Sequence, residues 1–195
     1  MTPDAFALFD LPRQPWLDAA DLRDEVHRRS ASVHPDAGGD AERFAQLNSA
    51  HRTLREPAAR LRHLLELEAP ETLAGQQQIP ASLVDRFMRV AAVRQSCAAF
   101  IVKHRATTSP LARALLAAEH TAQSRVLETA LTDLATANAL ALARLREFAT
   151  DWQSRLPEIA MLQAEFSYLE KWTAQLRESQ LDLAITLPSH LKSEI

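Results

Sequence analysis

At 195 residues, with 47% apolar side chains and a formal net charge of −3 at neutral pH, the chain is long enough for one large domain or two small ones with a genuine core. Nine Lys/Arg stand against twelve Asp/Glu before Ala69 and thirteen against thirteen after it, so neither half carries the positive field that favours nucleic acid. Three glycines are too few for a hairpin-rich sheet or a phosphate-cradling loop, and the many good helix formers set an all-α expectation.

The single Cys97 excludes an internal disulfide and, within a helical pattern, reads as a small buried apolar residue in a reducing cytoplasm. The N-terminal "MTPDAFALFD" has neither the basic start nor the apolar run of a signal peptide. No stretch approaches the roughly 18 uninterrupted apolar residues of a membrane span, so a cytoplasmic location without membrane insertion is expected.

In chain order, "AFALFDLP" is one or two helical turns stopped by Pro12. Asp18 then caps a helix whose Leu22, Val26 and Val33 share one face. That helix must end near Val33, because His34 precedes a proline and is pushed out of the α region. Asp40 can cap the next helix, with Phe44, Leu47, Ala50 and Leu54 on one side, ending before Pro57. So short a connection makes these two helices antiparallel neighbours. A further helix runs from Pro57 to near Pro70.

Residues 69–80, "APETLAGQQQIP", hold the last glycine and two prolines and are the best place for a boundary. The expected division is residues 1–69, a linker over 70–80 and a helical unit over 81–187. The second unit opens with "ASLVDRFMRVAAVRQSCAAFIV", broken at "RATTSP". Then Leu127, Leu131, Leu134, Asn138, Ala141, Leu145, Phe148 and Trp152 alternate by four and three, as in a bundle seam. Ile159, Leu162, Phe166, Leu169, Thr173, Leu176, Gln180 and Leu183 repeat that arithmetic in a last helix entered at Pro157. Three such helices form a small antiparallel bundle.

"SASVHPDAGGDAERF", residues 30–44, spends two of the three glycines directly after His34, Pro35 and Asp36. Proline between an imidazole and a carboxylate fixes both at the tip of a helical hairpin, with little freedom left to lose on docking. Gly38 and Gly39 let the chain reverse before Asp40 restarts a helix. On the tripeptide alone, an ordinary interhelical turn is an equal reading.

The helix ending at the tripeptide, the turn, and "FAQLNSAHRTL" after it together resemble a J domain, the module of DnaJ-type co-chaperones. The resemblance implies that His34, Pro35 and Asp36 contact a DnaK-type heat-shock chaperone and stimulate its ATP hydrolysis. Asp36 would pair with a cationic group of that partner, and Arg23, His27 and Arg28 would meet an acidic surface on it. The chain itself would then be no enzyme and need no cofactor or metal.

With "LFDLP" before that module, "LREPAARLRHLLELEAPE" leading into the bundle and "FSYLEKWTAQLRESQLDL" near the end, the layout resembles the HscB co-chaperones of iron-sulfur cluster biogenesis. The fold this implies is an N-terminal J domain plus a C-terminal three-helix bundle, with a HscA-type chaperone and an IscU-like cluster scaffold as partners. The matching scaffold-binding positions are Leu83, Val84, Phe87, Met88 and Tyr168. Tyr168 and Trp172 lie one turn apart off the final seam, so one flank of the aromatic pair should be exposed.

Three departures stand out. Ala37 replaces a usual lysine, Arg29 and Ala31 replace a leucine and a basic residue, and Arg86, Arg89 and Arg94 accompany only Asp85 where the family carries several acidic side chains. Residues 107–121 look like extra material. A J-domain protein serving a different client also fits the sequence, as, less well, does a helical enzyme. For the latter, His27 with Glu25 or His51 with Glu56 could be imagined as acid-base pairs, and surface solvation explains both better.

Overall fold

Asp4 starts the first helix. Its carboxylate accepts the backbone N–H groups of Phe6 and Ala7, capping a single turn, α1 (Ala5–Leu8), which buries Ala5 and Phe6. The computed structural model describes residues 3–33, 40–73 and 79–186, and every regular element among them is helical. Asp10, just past α1, has a left-handed φ of 48°, which aspartate tolerates better than most residues.

Helix α2 (Ala19–Val33) is capped by Asp18, whose Oδ1 accepts from the N–H of Ala20 at 2.8 Å. Helix α3 (Ala41–Arg55) is capped the same way by Asp40 and buries Leu47, Ala50 and Leu54. Pro57 sits at the first position of α4 (Pro57–Glu68), where its missing N–H costs no hydrogen bond. Each of these starts falls where capping chemistry in the sequence places it. After a 3₁₀ turn at Pro70–Leu73 and another at Ala81–Leu83 come α5 (Val84–Ala106) and the short α6 (Pro110–Leu115). Helix α7 (Ala117–Glu147) leads through 3₁₀ turns at Phe148–Thr150 and Trp152–Arg155 to α8 (Leu156–Ile185).

The chain forms two compact units, residues 1–78 with 140–167 and residues 79–139 with 168–195. This division differs from the expected ranges 1–69 and 81–187, because the segments 140–147 of α7 and 156–167 of α8 pack with the N-terminal helices. In the first unit, Phe6, Phe9, Leu54, Leu61, Leu64 and Leu65 share a core with Ala141, Leu145, Ile159 and Phe166. The apolar burial holding α4 in place therefore comes partly from residues far along the chain, in α7 and α8.

The second unit has two clusters. Leu83 and Val90 meet Leu134, Ala137, Leu169, Trp172 and Leu176 in one; Phe100, Ile101, Leu116 and Leu183 form the other. The two expected seams are the buried faces, with three exceptions: Phe148 and Trp152 lie in 3₁₀ turns rather than in α7, and Gln180 is exposed. Residues 107–121 are integral to the unit. Ser109 caps α6, Leu116 enters the core, and His120 Nε2 meets the Leu183 carbonyl oxygen at 3.2 Å.

Candidate partner-docking sites

In the first unit, α2 and α3 pack on each other and lead into and out of residues 34–39. His34, Pro35 and Asp36 lie outside the described residues. On α2, Arg23, His27 and Arg28 are all exposed. Arg23 and His27 stand one turn apart, while Arg28 forms an ion pair with Glu25. Glu25 also accepts from Arg29, whose guanidinium reaches the Asp10 carboxylate and donates to the Leu8 carbonyl at 3.1 Å. Arg29 thus ties α2 to the end of α1, through the Leu8 carbonyl, and to the segment after it, through Asp10.

The imagined acid-base pairs do not form. Glu25 is held by Arg28 and Arg29, and Glu56 accepts from Arg55 at 2.8 Å. His51 is partly buried, and burial, aided by the nearby Arg55 charge, pushes its pKa below the ordinary histidine value. Among the described residues no three His, Cys, Asp or Glu side chains converge as a metal site would require, and no helix is long and apolar enough to cross a membrane.

In the second unit the five positions expected to bind a scaffold do not share one environment. Val84, Phe87 and Met88 are exposed, at 43%, 38% and 60% of their surface. Leu83 is a correction: at 2% exposure it fills the core with Leu134, Leu169 and Leu176, so its side chain has no surface to offer. The 3₁₀ turn at Ala81–Leu83 precedes α5 and points Leu83 inward, whereas the following turn of α5 presents Val84, Phe87 and Met88 outward. Sequence alone gave all four the same apolar character.

The aromatic pair also splits. Trp172 is 3% exposed and Tyr168 is half-buried. Their ring centroids lie 5.4 Å apart, and Phe87 approaches Trp172 to 6.3 Å. Such offset contacts fix aromatic rings as well as burying them. Trp172 is therefore the support on which Phe87 and Tyr168 rest, a role its spacing from Tyr168 did not reveal.

No family model matches the chain. Three curated bacterial proteins, each named co-chaperone protein HscB homolog, are similar to part of it. That of Chromobacterium violaceum is 38% identical over 78 residues, 35% of this chain and 45% of the relative. That of Cupriavidus taiwanensis is 40% identical over 80 residues, 36% and 46% of the two chains. That of Paraburkholderia phytofirmans is 42% identical over 71 residues, 32% and 41%. The chain spans less than half the length of the curated relatives it matches. In fold, the chaperone HscB from Vibrio cholerae superposes on 92% of this chain and 99% of its own with a TM-score of 0.62, at 22% sequence identity.

In fold, and over part of its sequence, the chain is similar to HscB proteins. Its fold is all-α, a J domain with a C-terminal helical bundle, as the sequence resemblance implied. In this HscB-like frame the departure at Arg29 has a structural reason, because its guanidinium is spent on Asp10, Glu25 and the Leu8 carbonyl. The buried polar groups that the sequence reading passed over lie in α4 and α8. Arg60, His63 and Gln163 are nearly covered by the first unit, and each bonds a backbone group from a distant segment. The trace of Arg60 and His63 in the sequence is a basic residue set inside an apolar helical run.

Proposed function

We propose that the chain is a co-chaperone that stimulates the ATPase of a DnaK/HscA-type heat-shock chaperone and delivers an IscU-like iron-sulfur cluster scaffold to it. The observation carrying this reading is the likeness of fold to the Vibrio cholerae chaperone HscB over nearly the whole chain. His34, Pro35 and Asp36 dock on the heat-shock chaperone, with Arg23, His27 and Arg28 of α2 facing its acidic surface. All bond-breaking belongs to the partner's ATP hydrolysis, so the chain acts without a cofactor, in the cytoplasm and without nucleic acid.

The client lies on the second unit, against Val84, Phe87 and Met88 of α5 and the half-buried Tyr168 of α8. Fully burying one such apolar side chain contributes about 1.5–3 kcal/mol. A few centrally placed groups of this size, aromatic ones above all, supply most of the affinity of typical interfaces.

The test is single-turnover ATP hydrolysis by the purified heat-shock chaperone. Addition of the chain raises the rate, and His34→Gln abolishes the increase while the helical circular dichroism stays unchanged. Equal stimulation by wild type and variant, or none by the wild type, would sink the reading.

A further inference from the structure

Helix α2 carries a cation on its covered face. At ~100° per residue, Leu22, Val26, Arg29 and Val33 fall within about 60° of arc. Leu22 is buried, Val26 and Val33 pack against the core of the first unit, and the Arg29 side chain keeps only 26% of its surface. A guanidinium withdrawn from water needs hydrogen bonds to offset the loss, and an apolar residue would need none. The acceptors suit a planar fork. Nε donates to Glu25 on the same helix, Nη1 to the Leu8 carbonyl at 3.1 Å and Nη2 to the Asp10 carboxylate. Helices α1 and α2 each pack on α3 in its own place, and Arg29 bonds them to each other.

Asp10 is irregular too. Past α1 the Leu11 N–H donates to the Phe6 carbonyl at 3.0 Å and the Asp10 N–H to the Ala7 carbonyl at 3.2 Å, the paired bonds of a Schellman turn, with Asp10 at its left-handed position. Glycine is the usual residue there, because it has no Cβ to oppose that conformation. Aspartate keeps the turn and adds a carboxylate to the Arg29 fork. Since Asp10 is exposed, an ion pair there adds little to stability. Its consequence is the direction in which the guanidinium is held.

Neither residue lies on the face of α2 assigned to docking. Arg29 stands about 120° round the helix from Arg23 and about 160° from His27. It does lie one turn before Val33, where α2 ends and leads into residues 34–39.

We propose that Arg29, held by the Leu8 carbonyl and Asp10, is a positioning residue for ATPase stimulation: it pins the C-terminal half of α2 to the end of α1 and so sets the direction in which that helix meets the heat-shock chaperone. The proposal rests on the co-chaperone reading and adds the residue that aligns the docking helix. A lysine supplies the charge without the rigid fork, so it bonds the carbonyl and the carboxylates less well together. Keeping a largely covered ion network where an apolar side chain would serve is a way of fixing geometry with little gain in stability.

The experiment is single-turnover ATP hydrolysis by the purified DnaK-type chaperone, titrated with the full chain as wild type, Asp10→Gly/Arg29→Leu, Arg29→Lys and Arg23→Ala. Each is assayed far below its urea transition, where a shifted midpoint leaves the folded fraction unchanged. The double variant removes both charges and gives the turn its usual glycine, so its urea midpoint should be no lower than that of the wild type. Its maximal stimulation should fall at least threefold while the half-saturating concentration stays within twofold, because Arg23, His27 and Arg28 are intact. Arg29→Lys should lose maximal stimulation in the same way, whereas Arg23→Ala should raise the half-saturating concentration at least threefold. Full maximal stimulation by the double variant, whatever its midpoint, makes the network an ordinary brace and overturns the inference, and with His34→Gln inactive the co-chaperone reading stands. Full stimulation by Arg29→Lys shows that charge suffices, and a double variant altered only in half-saturation places Arg29 in the docking surface; either result also overturns it. No stimulation by the wild type overturns both readings.

Discussion

The ring of Phe87 lies 6.3 Å from that of Trp172, tilted by 38°, and only the first of the two is open to solvent. One contact thus joins a surface residue of α5 to a core residue of α8. Truncating the buried partner, Trp172→Ala, should cost about 3–5 kcal/mol in urea unfolding and weaken scaffold binding indirectly. Phe87→Ala should cost about 1 kcal/mol, the worth of a partly exposed aromatic contact, yet remove most of the binding. Equal losses of stability in the two variants would contradict this assignment of surface and core.

Leu83 and Met88 make the same distinction without aromatic chemistry. Leu83 is sealed among Leu134, Leu169 and Leu176, so Leu83→Ala should lower stability by about 2–5 kcal/mol. Met88→Ala, on the open side of α5, should stay within about 0.5 kcal/mol of the wild type. Denaturation curves recorded side by side decide it. A scaffold-binding assay of a Leu83 variant alone would confuse unfolding with loss of contact.

The helix starts at Asp18, Asp40 and Pro57 were legible because these residues act locally: each cap is a bond to a backbone N–H two or three residues on, or one that proline does not need. The seams of α7 and α8 were legible because four-and-three spacing follows from helix geometry. Grouping was harder to read. Ala141, Leu145, Ile159 and Phe166 continue their seams without interruption, and nothing in that periodicity says that their neighbours are Phe6 and Leu61 rather than α5. Likewise the tripeptide at 34–36 could be recognised by its residues, while the inward turn of Leu83 depends on a 3₁₀ turn that no local signal announced.

Arg60 should be the costliest polar residue to replace in the first unit. Its Nε donates to the Pro15 carbonyl at 2.9 Å and Nη1 to the Leu54 carbonyl at 2.6 Å, joining the approach to α2 with the last turn of α3. Burial lowers its pKa to about 10, which still leaves the guanidinium charged at neutral pH. Arg60→Met keeps the aliphatic bulk but strips both carbonyls of their donor, at about 1–3 kcal/mol for each group left buried and unpaired. Arg60→Lys, able to satisfy only one of them well, should fall between Met and wild type in urea midpoint.

Cys97 should behave as a core residue. Burial pushes its thiol pKa up, which removes the thiolate that reacts with disulfide reagents, and the side chain is 1% exposed. Labelling with an aromatic disulfide at neutral pH should be slow in the folded chain and become fast at the urea concentration where helical structure is lost. Rapid labelling without denaturant would place Cys97 on the surface.

Asp4 gives the first unit a defined response to acid. Burial alone would raise its pKa. The hydrogen bond and charge of Arg13, with the backbone N–H groups of Ala7 and Phe6, outweigh that and hold it below the ordinary aspartate value of 3.8. Arg13 bonds Asp4 at 2.8 Å and also Glu68 at 2.8 Å, so the ionised carboxylate both caps α1 and helps link it to the end of α4. A carboxylate whose folded pKa is depressed stabilises the fold fully above its unfolded pKa, and that contribution is lost as pH falls through the folded value. Asp4→Ala should therefore be less stable than wild type at pH 7 by about 0.5–2 kcal/mol, the usual cost of a lost N-cap. The gap should shrink once the pH falls below 3.8. Urea midpoints of the two proteins between pH 7 and pH 2.5 measure it, and a gap that stays constant, or widens in acid, would show that the Asp4 charge does not stabilise this junction.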